Sequence, residues 1–193
     1  MNTNRLEAFS DGVLAIIITI MVLELKIPHG ENFSAIKPLL PIFLNYILSF
    51  IYLGVYWTNH HHMLQATEKV DGSILWANLH LLFWLSMLPV STGWMGSNHF
   101  APLPTAVYGF VLIMAAIAYR ILEHAIIRFE GKESSLAKAV GNDFKANMSI
   151  LIYAIAIGMA FYFNRISQIL YIVVAIMWLI PDKRIERELY KNS

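Results

Sequence analysis

Arg5-Leu6-Glu7-Ala8-Phe9-Ser10-Asp11-Gly12 opens directly into Val13-Leu14-Ala15-Ile16-Ile17-Ile18-Thr19-Ile20-Met21-Val22-Leu23. Three ionisable side chains, Arg5, Glu7 and Asp11, therefore stand at the threshold of an apolar run. Ionisable groups at membrane depth cost free energy unless they are paired or wetted, so this junction needs compensating partners elsewhere in the chain. Twelve uncharged residues separate Asp11 from Glu24. At about 1.5 Å of rise each, they cover less than the roughly 30 Å of a hydrocarbon core. The first helix is thus expected either to be a protein-buried helix with snorkelling ends or to stand beside water with its charged ends in vestibules.

The rest of the chain has the same membrane character. Of its 193 residues, 58% are hydrophobic and 14% charged, with a mean hydropathy of +0.57. Soluble domains are less apolar and nearer a quarter charged. A net charge of +1 supplies no field that would attract nucleic acid. Cysteine is absent, which removes disulfides, thiolate metal sites and a cysteine nucleophile. Asp11 breaks the N-terminal apolar run early and no small-residue cleavage site follows a basic start, so no cleavable signal is expected.

Charge-free intervals of spanning length predict an all-α membrane protein with six transmembrane helices in one domain, residues 1–193. The helices are expected at about 5–27, 38–59, 73–95, 105–124, 144–163 and 166–181. Gly93 to Asn98 and the Pro102/Pro104 pair mark the turn between the third and fourth. Pro181 is expected to stop the sixth, ahead of a solvated tail, Asp182 to Ser193. Arg128 to Asn147 reads as a loop that includes a short amphipathic helix. Six spans place both termini on one side. Of the 14 Lys and Arg, only Lys26, Lys37 and Arg165 fall on the opposite side. The positive-inside rule then makes both termini cytoplasmic.

Gly12, Ile16, Ile20, Leu23 and Ile27 share one face of the first helix at helical spacing, with Thr19 about 60° from Ile16. Such a bulky stripe is compatible with ordinary packing. Several copies around an axis would instead form a hydrophobic constriction that gates by dewetting.

Arg5, Phe9, Ser10, Asp11 and Gly12 match an R-x-x-x-F-S-D-G signature at the start of the first helix. In this the chain resembles the lysosomal/endosomal potassium channel family (transmembrane protein 175) and its prokaryotic homologues, and the six-span layout extends the resemblance along the chain. The resemblance implies a potassium-selective cation channel in a prokaryotic plasma membrane. It implies a homotetramer with the first helix of each subunit lining a central pore. The constriction then falls on Ile16, Thr19, Ile20 and Leu23, with Ile16 the narrowest apolar ring and Thr19 a ring of hydroxyls. No T-V-G-Y-G filter is present, so carbonyl-based selectivity is unavailable and modest selectivity is expected. Glu24 would either concentrate cations at the pore mouth or be a solvated helix end.

Asp11 is expected to share one membrane level with Trp57 and His60 at the end of the second helix and with Asn78 and His80 at the start of the third. Trp57 and Asn78 can donate to a carboxylate, and a histidine can donate or pair. The expected role of Ser10 and Asp11 is to tie the first helix to the second and third; lining a permeation path is the alternative. Consecutive His60, His61 and His62 point about 100° apart on a helix and cannot converge on one metal ion, so no metal or other cofactor is expected. No nucleophile motif accompanies these polar residues, which argues against an enzyme. The expected partners are potassium ions, the lipid bilayer and further copies of the chain. A proton-coupled secondary transporter or a proton-permeable cation channel is the alternative function; a transporter would be expected to show broken helices and internal repeats.

Overall fold

The computed structural model describes residues 3–131, 133–140 and 144–179. Within them the chain is helical: α1 Asn4–Leu23, α2 Leu40–Gln65, α3 Gly72–Ser86, α4 Leu88–Ser97, α5 Pro102–Glu130, α6 Ser135–Val140, α7 Phe144–Tyr162 and α8 Asn164–Leu179. Two 3-10 turns, Phe33–Ala35 and Lys37–Leu39, lead into α2. α1, α2, the α3–α4 pair, α5 and α7 are long and apolar enough to cross a membrane; α8 is a shorter apolar helix of 16 described residues. Pro181 and the tail, read as the stop of the last helix and a solvated extension, lie outside the described residues.

Several boundaries differ from the sequence expectation, each for a local reason. α1 ends at Leu23, not Ile27. Pro28 disfavours helical geometry at Ile27, and Gly30 takes a positive φ of 127° just beyond. Ile27 accordingly drops off the stripe assigned to it. α2 continues six residues past Asn59 to Gln65, because no breaker interrupts the histidine run. The expected third span, 73–95, is two helices that meet at Met87. Pro89 lacks an amide proton and its ring crowds the carbonyl one turn back, which breaks the ladder there. The Ser86 and Ser91 hydroxyls donate to the carbonyls of Phe83 and Leu88. α5 starts with Pro102 in its first turn and runs to Glu130, well past His124; Gly131, at a φ of 95°, ends it. Asp71 caps α3 by accepting from the Ile74 amide at 2.9 Å and the Ser73 hydroxyl at 2.7 Å. Those bonds favour the ionised carboxylate and hold Asp71 below its ordinary pKa.

The bundle divides into two packed groups. α1 lies against α2, α3 and α4, whereas α5 packs on α3, α4 and α7, and α7 on α8. Tyrosines join the groups across α2. The Tyr52 hydroxyl donates to the Tyr171 carbonyl, the Tyr171 hydroxyl to the Thr105 carbonyl at 3.0 Å, and Ser49 bonds both Thr92 and Tyr108 at 2.7 and 3.0 Å. All of these side chains are buried. Each bond satisfies a polar group that hydrocarbon could not solvate.

Gly109 lets α5 close on α7 and α8. A Cβ there would lie 2.7 Å from the Tyr171 ring at Cζ and 2.9 Å from Ile157 Cγ1, and would strike the Tyr171 hydroxyl itself. Gly158, which the sequence offers as a second close-contact glycine, has no neighbour within 4 Å of its own Cβ direction. Gly109→Ala is therefore expected to lower the melting temperature of detergent-solubilised protein, at a cost of about 1–3 kcal/mol for overpacking. Gly158→Ala should leave it close to the parent value.

Candidate functional site

The candidate site is α1, and its two faces have different surroundings. Leu6, Ser10, Leu14, Ile17 and Met21 recur every three or four residues and are buried. The opposite face, with Gly12, Ile16, Thr19, Ile20 and Leu23, is exposed; Ile16 retains 60% and Leu23 76% of its surface. The five stripe positions are too apolar to face bulk water in this number, so lipid or another protein surface must cover them.

A chain of buried side chains holds the inner face. Ser10 Oγ donates to the Leu6 carbonyl at 2.8 Å. The Asn78 amide nitrogen donates to Ser10 Oγ at 2.9 Å, and Asn78 Oδ1 meets His60 Nε2 at 2.7 Å. Oδ1 can only accept, so His60 Nε2 carries a proton and the donation runs in one direction, from His60 through Asn78 and Ser10 to the α1 backbone. Ser10, Asn78 and His60 are at most 2% exposed. The outer turns of α1 add two rungs to α2. Trp57 Nε1 donates to Asp11 Oδ1 at 2.9 Å, and His61 Nδ1 lies 2.7 Å from Glu7 Oε1. Glu7 and Asp11 are one turn apart, as are Trp57 and His61, so two antiparallel helices bring both pairs into register. The Trp57 and His61 rings stack, with centroids 6.1 Å apart.

Of the residues expected around Asp11, Trp57 is in direct contact with it, while Asn78 and His60 reach α1 through Ser10. His80 does not join them. It accepts from Trp84 Nε1 at 3.0 Å, one turn along its own helix. Asn78 and His80 are two residues apart and point about 200° around α3, so only one of them can face α1. Glu7 and Asp11, two carboxylates one turn apart, each have a separate partner on α2. Sequence reasoning missed His61 as the Glu7 partner; the matched one-turn spacings were the available signal. It also missed the second buried cluster of Asn45, Ser49, Thr92 and Tyr108. Its signal was a pair of polar residues one turn apart, Asn45 and Ser49, inside an otherwise charge-free span.

The remaining motif residues play other parts. Arg5 and Phe9 are exposed, and a Cβ on Gly12 would meet nothing within 4 Å. The Thr19 hydroxyl donates to the Ala15 carbonyl at 2.8 Å, which commits its proton to the helix and leaves its oxygen lone pairs facing outward. Glu24 is exposed at the end of α1, with Oε2 close to Gly93 of α4. Among the described residues no group of three His, Cys, Asp or Glu is arranged to hold a metal ion.

Comparison with known proteins identifies the family. A family model described as endosomal/lysosomal potassium channel TMEM175 matches residues 5–89, which contain the whole polar chain. A Chryseobacterium protein named as a potassium channel is 58% identical over 192 residues, covering 100% of both chains. A Streptomyces collinus protein, also named as a potassium channel, is 28% identical over 171 residues, 82% of each. The crystal structure of a lysosomal potassium-selective channel TMEM175 homolog from Chamaesiphon minutus superposes with a TM-score of 0.80 at 28% identity, over 93% of this chain and 97% of that one. With 58% identity to one relative along the full length of both chains and a shared fold over nearly the whole chain, this multi-pass membrane protein belongs to the TMEM175 family.

Proposed function

We propose that the protein is a passive, potassium-selective channel of a prokaryotic plasma membrane, formed by four copies with α1 of each around a central pore. The observation that carries this reading is the exposed stripe Ile16, Thr19, Ile20 and Leu23 on a helix whose opposite face is tied down by directional bonds. Lipid would cover such a stripe equally well; the potassium-channel relatives favour the pore. In a ring of four, Ile16 is the apolar constriction, closed when dewetted. Thr19 presents oxygen lone pairs that partly replace an ion's hydration, because its proton is already donated to Ala15. Glu24 stands at the wide end and attracts cations toward it. The Ser10–Asn78–His60 chain and the Asp11–Trp57 bond set the rotation and height of α1 and do not touch the ion. The charge asymmetry of the connecting segments supports cytoplasmic termini.

A specific observation favours a second reading, proton permeation alongside potassium or in place of it. The Glu7–His61 pair is a titratable couple at the same end of α1 as Asp11. A pH-sensitive dye inside the same vesicles separates the two.

Reconstituted in liposomes under a potassium gradient, the folded protein should pass potassium down that gradient and sodium more slowly. Absence of flux from protein shown to be folded would sink the channel reading; dye acidification without potassium flux would favour the second. Ile16→Asn should raise resting leak severalfold, measured by the same assay, since a polar ring stays wet. Asn78→Leu leaves His60 and Ser10 without their partner and should cost about 1–3 kcal/mol. The expected readout is a lower melting temperature and a smaller tetramer fraction on native mass spectrometry. Asp11→Ala should act in the same direction but more weakly, because that bond is exposed.

A further inference from the structure

We infer that the membrane-boundary end of α5 holds an anionic phospholipid headgroup in a groove between α5 and α7. Ile117, Arg120, Ile121, His124 and Arg128 lie on one face of α5, and Asn147 and Ile150 of α7 complete the groove. The inference rests on the chain spanning a membrane and not on ion conduction.

The α5 positions 117, 121, 124 and 128 repeat every three or four residues, so they form one strip along the helix. The strip runs from Ile117 through Arg120 and Ile121 to the polar His124 and the cationic Arg128 near the end at Glu130. That order matches a phospholipid, with acyl chains against Ile117, Ile121 and Ile150 and a phosphate against the cations. A free phosphate would have no use for the apolar floor, and a neutral lipid none for the cations.

The level of the groove supports the same occupant. α5 has 29 residues. At about 1.5 Å each it exceeds a roughly 30 Å hydrocarbon core, so one end must emerge. Arg120 donates to Asn147 Oδ1 at 2.9 Å, and Asn147 is in the first turn of α7. Two residues on, Ser149 accepts from Trp178 Nε1 at 2.8 Å, which puts an indole near the same level, as at a membrane–water interface. Arg120 is therefore at the boundary, with His124 and Arg128 beyond it. Basic pockets between helices at this depth are suited to lipid phosphates.

The charges are available for that task to different degrees. Arg120 is anchored by Asn147 and lies 3.8 Å from the buried Glu123 carboxylate, so part of its charge is offset. The exposed His124 ring bonds the Arg120 carbonyl at 2.7 Å and lies 3.9 Å from Glu123. Arg128 is exposed and makes no ion pair among the described residues. It is the cation best placed to grip a phosphate, with Arg120 positioned beneath it. No α1 residue lines the groove, and the main contacts of α1 are with α2, α3 and α4. A lipid can therefore occupy it whatever surrounds the α1 stripe.

The test is native mass spectrometry and thermal shift of the full chain in detergent. Micelles are doped with phosphatidylglycerol, phosphatidylcholine or inorganic phosphate. Retained phosphatidylglycerol and a raised melting temperature are expected, with little effect of the other two. Arg128→Gln, at an exposed position, should weaken phosphatidylglycerol retention by about five-fold, the share of one interfacial cation. Arg128→Lys should restore most of it, and Lys138→Gln, whose side chain pairs with Glu133 outside the groove, should leave it unchanged. Equal retention of phosphatidylcholine, an equal shift from inorganic phosphate, or an equal loss in Lys138→Gln would overturn the proposal. So would an Arg128→Gln protein whose subunit number changes while its lipid retention does not, because the groove would then be a contact between copies. None of these readouts depends on ion flux.

Discussion

Everything proposed for α1 depends on a short run of directional bonds at its polar end. Both faces of this helix are apolar over most of their length. In lipid, the hydrophobic effect gives no preference for one apolar face over the other, since acyl chains and leucines are equivalent surroundings. Rotation and height must therefore be set by groups that hydrocarbon cannot satisfy. Ser10, reached by Asn78 and backed by His60, meets that need from inside the bundle; Asp11 and Glu7 meet it at the rim through Trp57 and His61. Each such bond is worth about 0.6–2 kcal/mol in a membrane protein, but several acting together on one turn fix a single rotation.

With α1 held in this way, the rest of the bundle acts as its frame. α2 takes part in ties to several other helices: His60, Trp57 and His61 toward α1 and α3, Asn45 and Ser49 toward α4 and α5, and Tyr52 toward α8. Its polar positions lie near both ends, with Tyr52 between them. The break at Met87 divides the third span into α3, which carries Asn78, and α4, which carries Thr92. Each half presents its polar residue to α2 at a different level. A continuous helix would have had to satisfy both from one orientation. The packing group of α5, α7 and α8 stays clear of the α1 stripe, which leaves that stripe free for whatever covers it.

Much of this was legible in residue order. Hydropathy and charge-free intervals marked the spans, the R-x-x-x-F-S-D-G start marked α1, and period alone put Ile16, Ile20 and Leu23 on one face with Thr19 beside it. The helix ends were read less well where distant composition misled. Charges at Arg120, Glu123 and Arg128 suggested that α5 stopped early. In fact, a helix can carry charge through its last turns once it has left the hydrocarbon, and Gly131 was the true stop.

The sequence by itself determined which segments are helical, how many are apolar, and that ionisable groups at the start of α1 needed partners. It did so because propensity, capping and hydropathy act locally. Only the tertiary structure decided who the partners are: His61 for Glu7, Trp57 for Asp11 and Asn78 for Ser10. Those choices depend on the relative rotation and register of helices dozens of residues apart. Side chains two positions apart, such as Asn78 and His80, are equivalent candidates until α3 is packed. The apolar faces are nearly indistinguishable in composition, so no count of residues could say which side of α1 would be buried; the few buried polar bonds settled it.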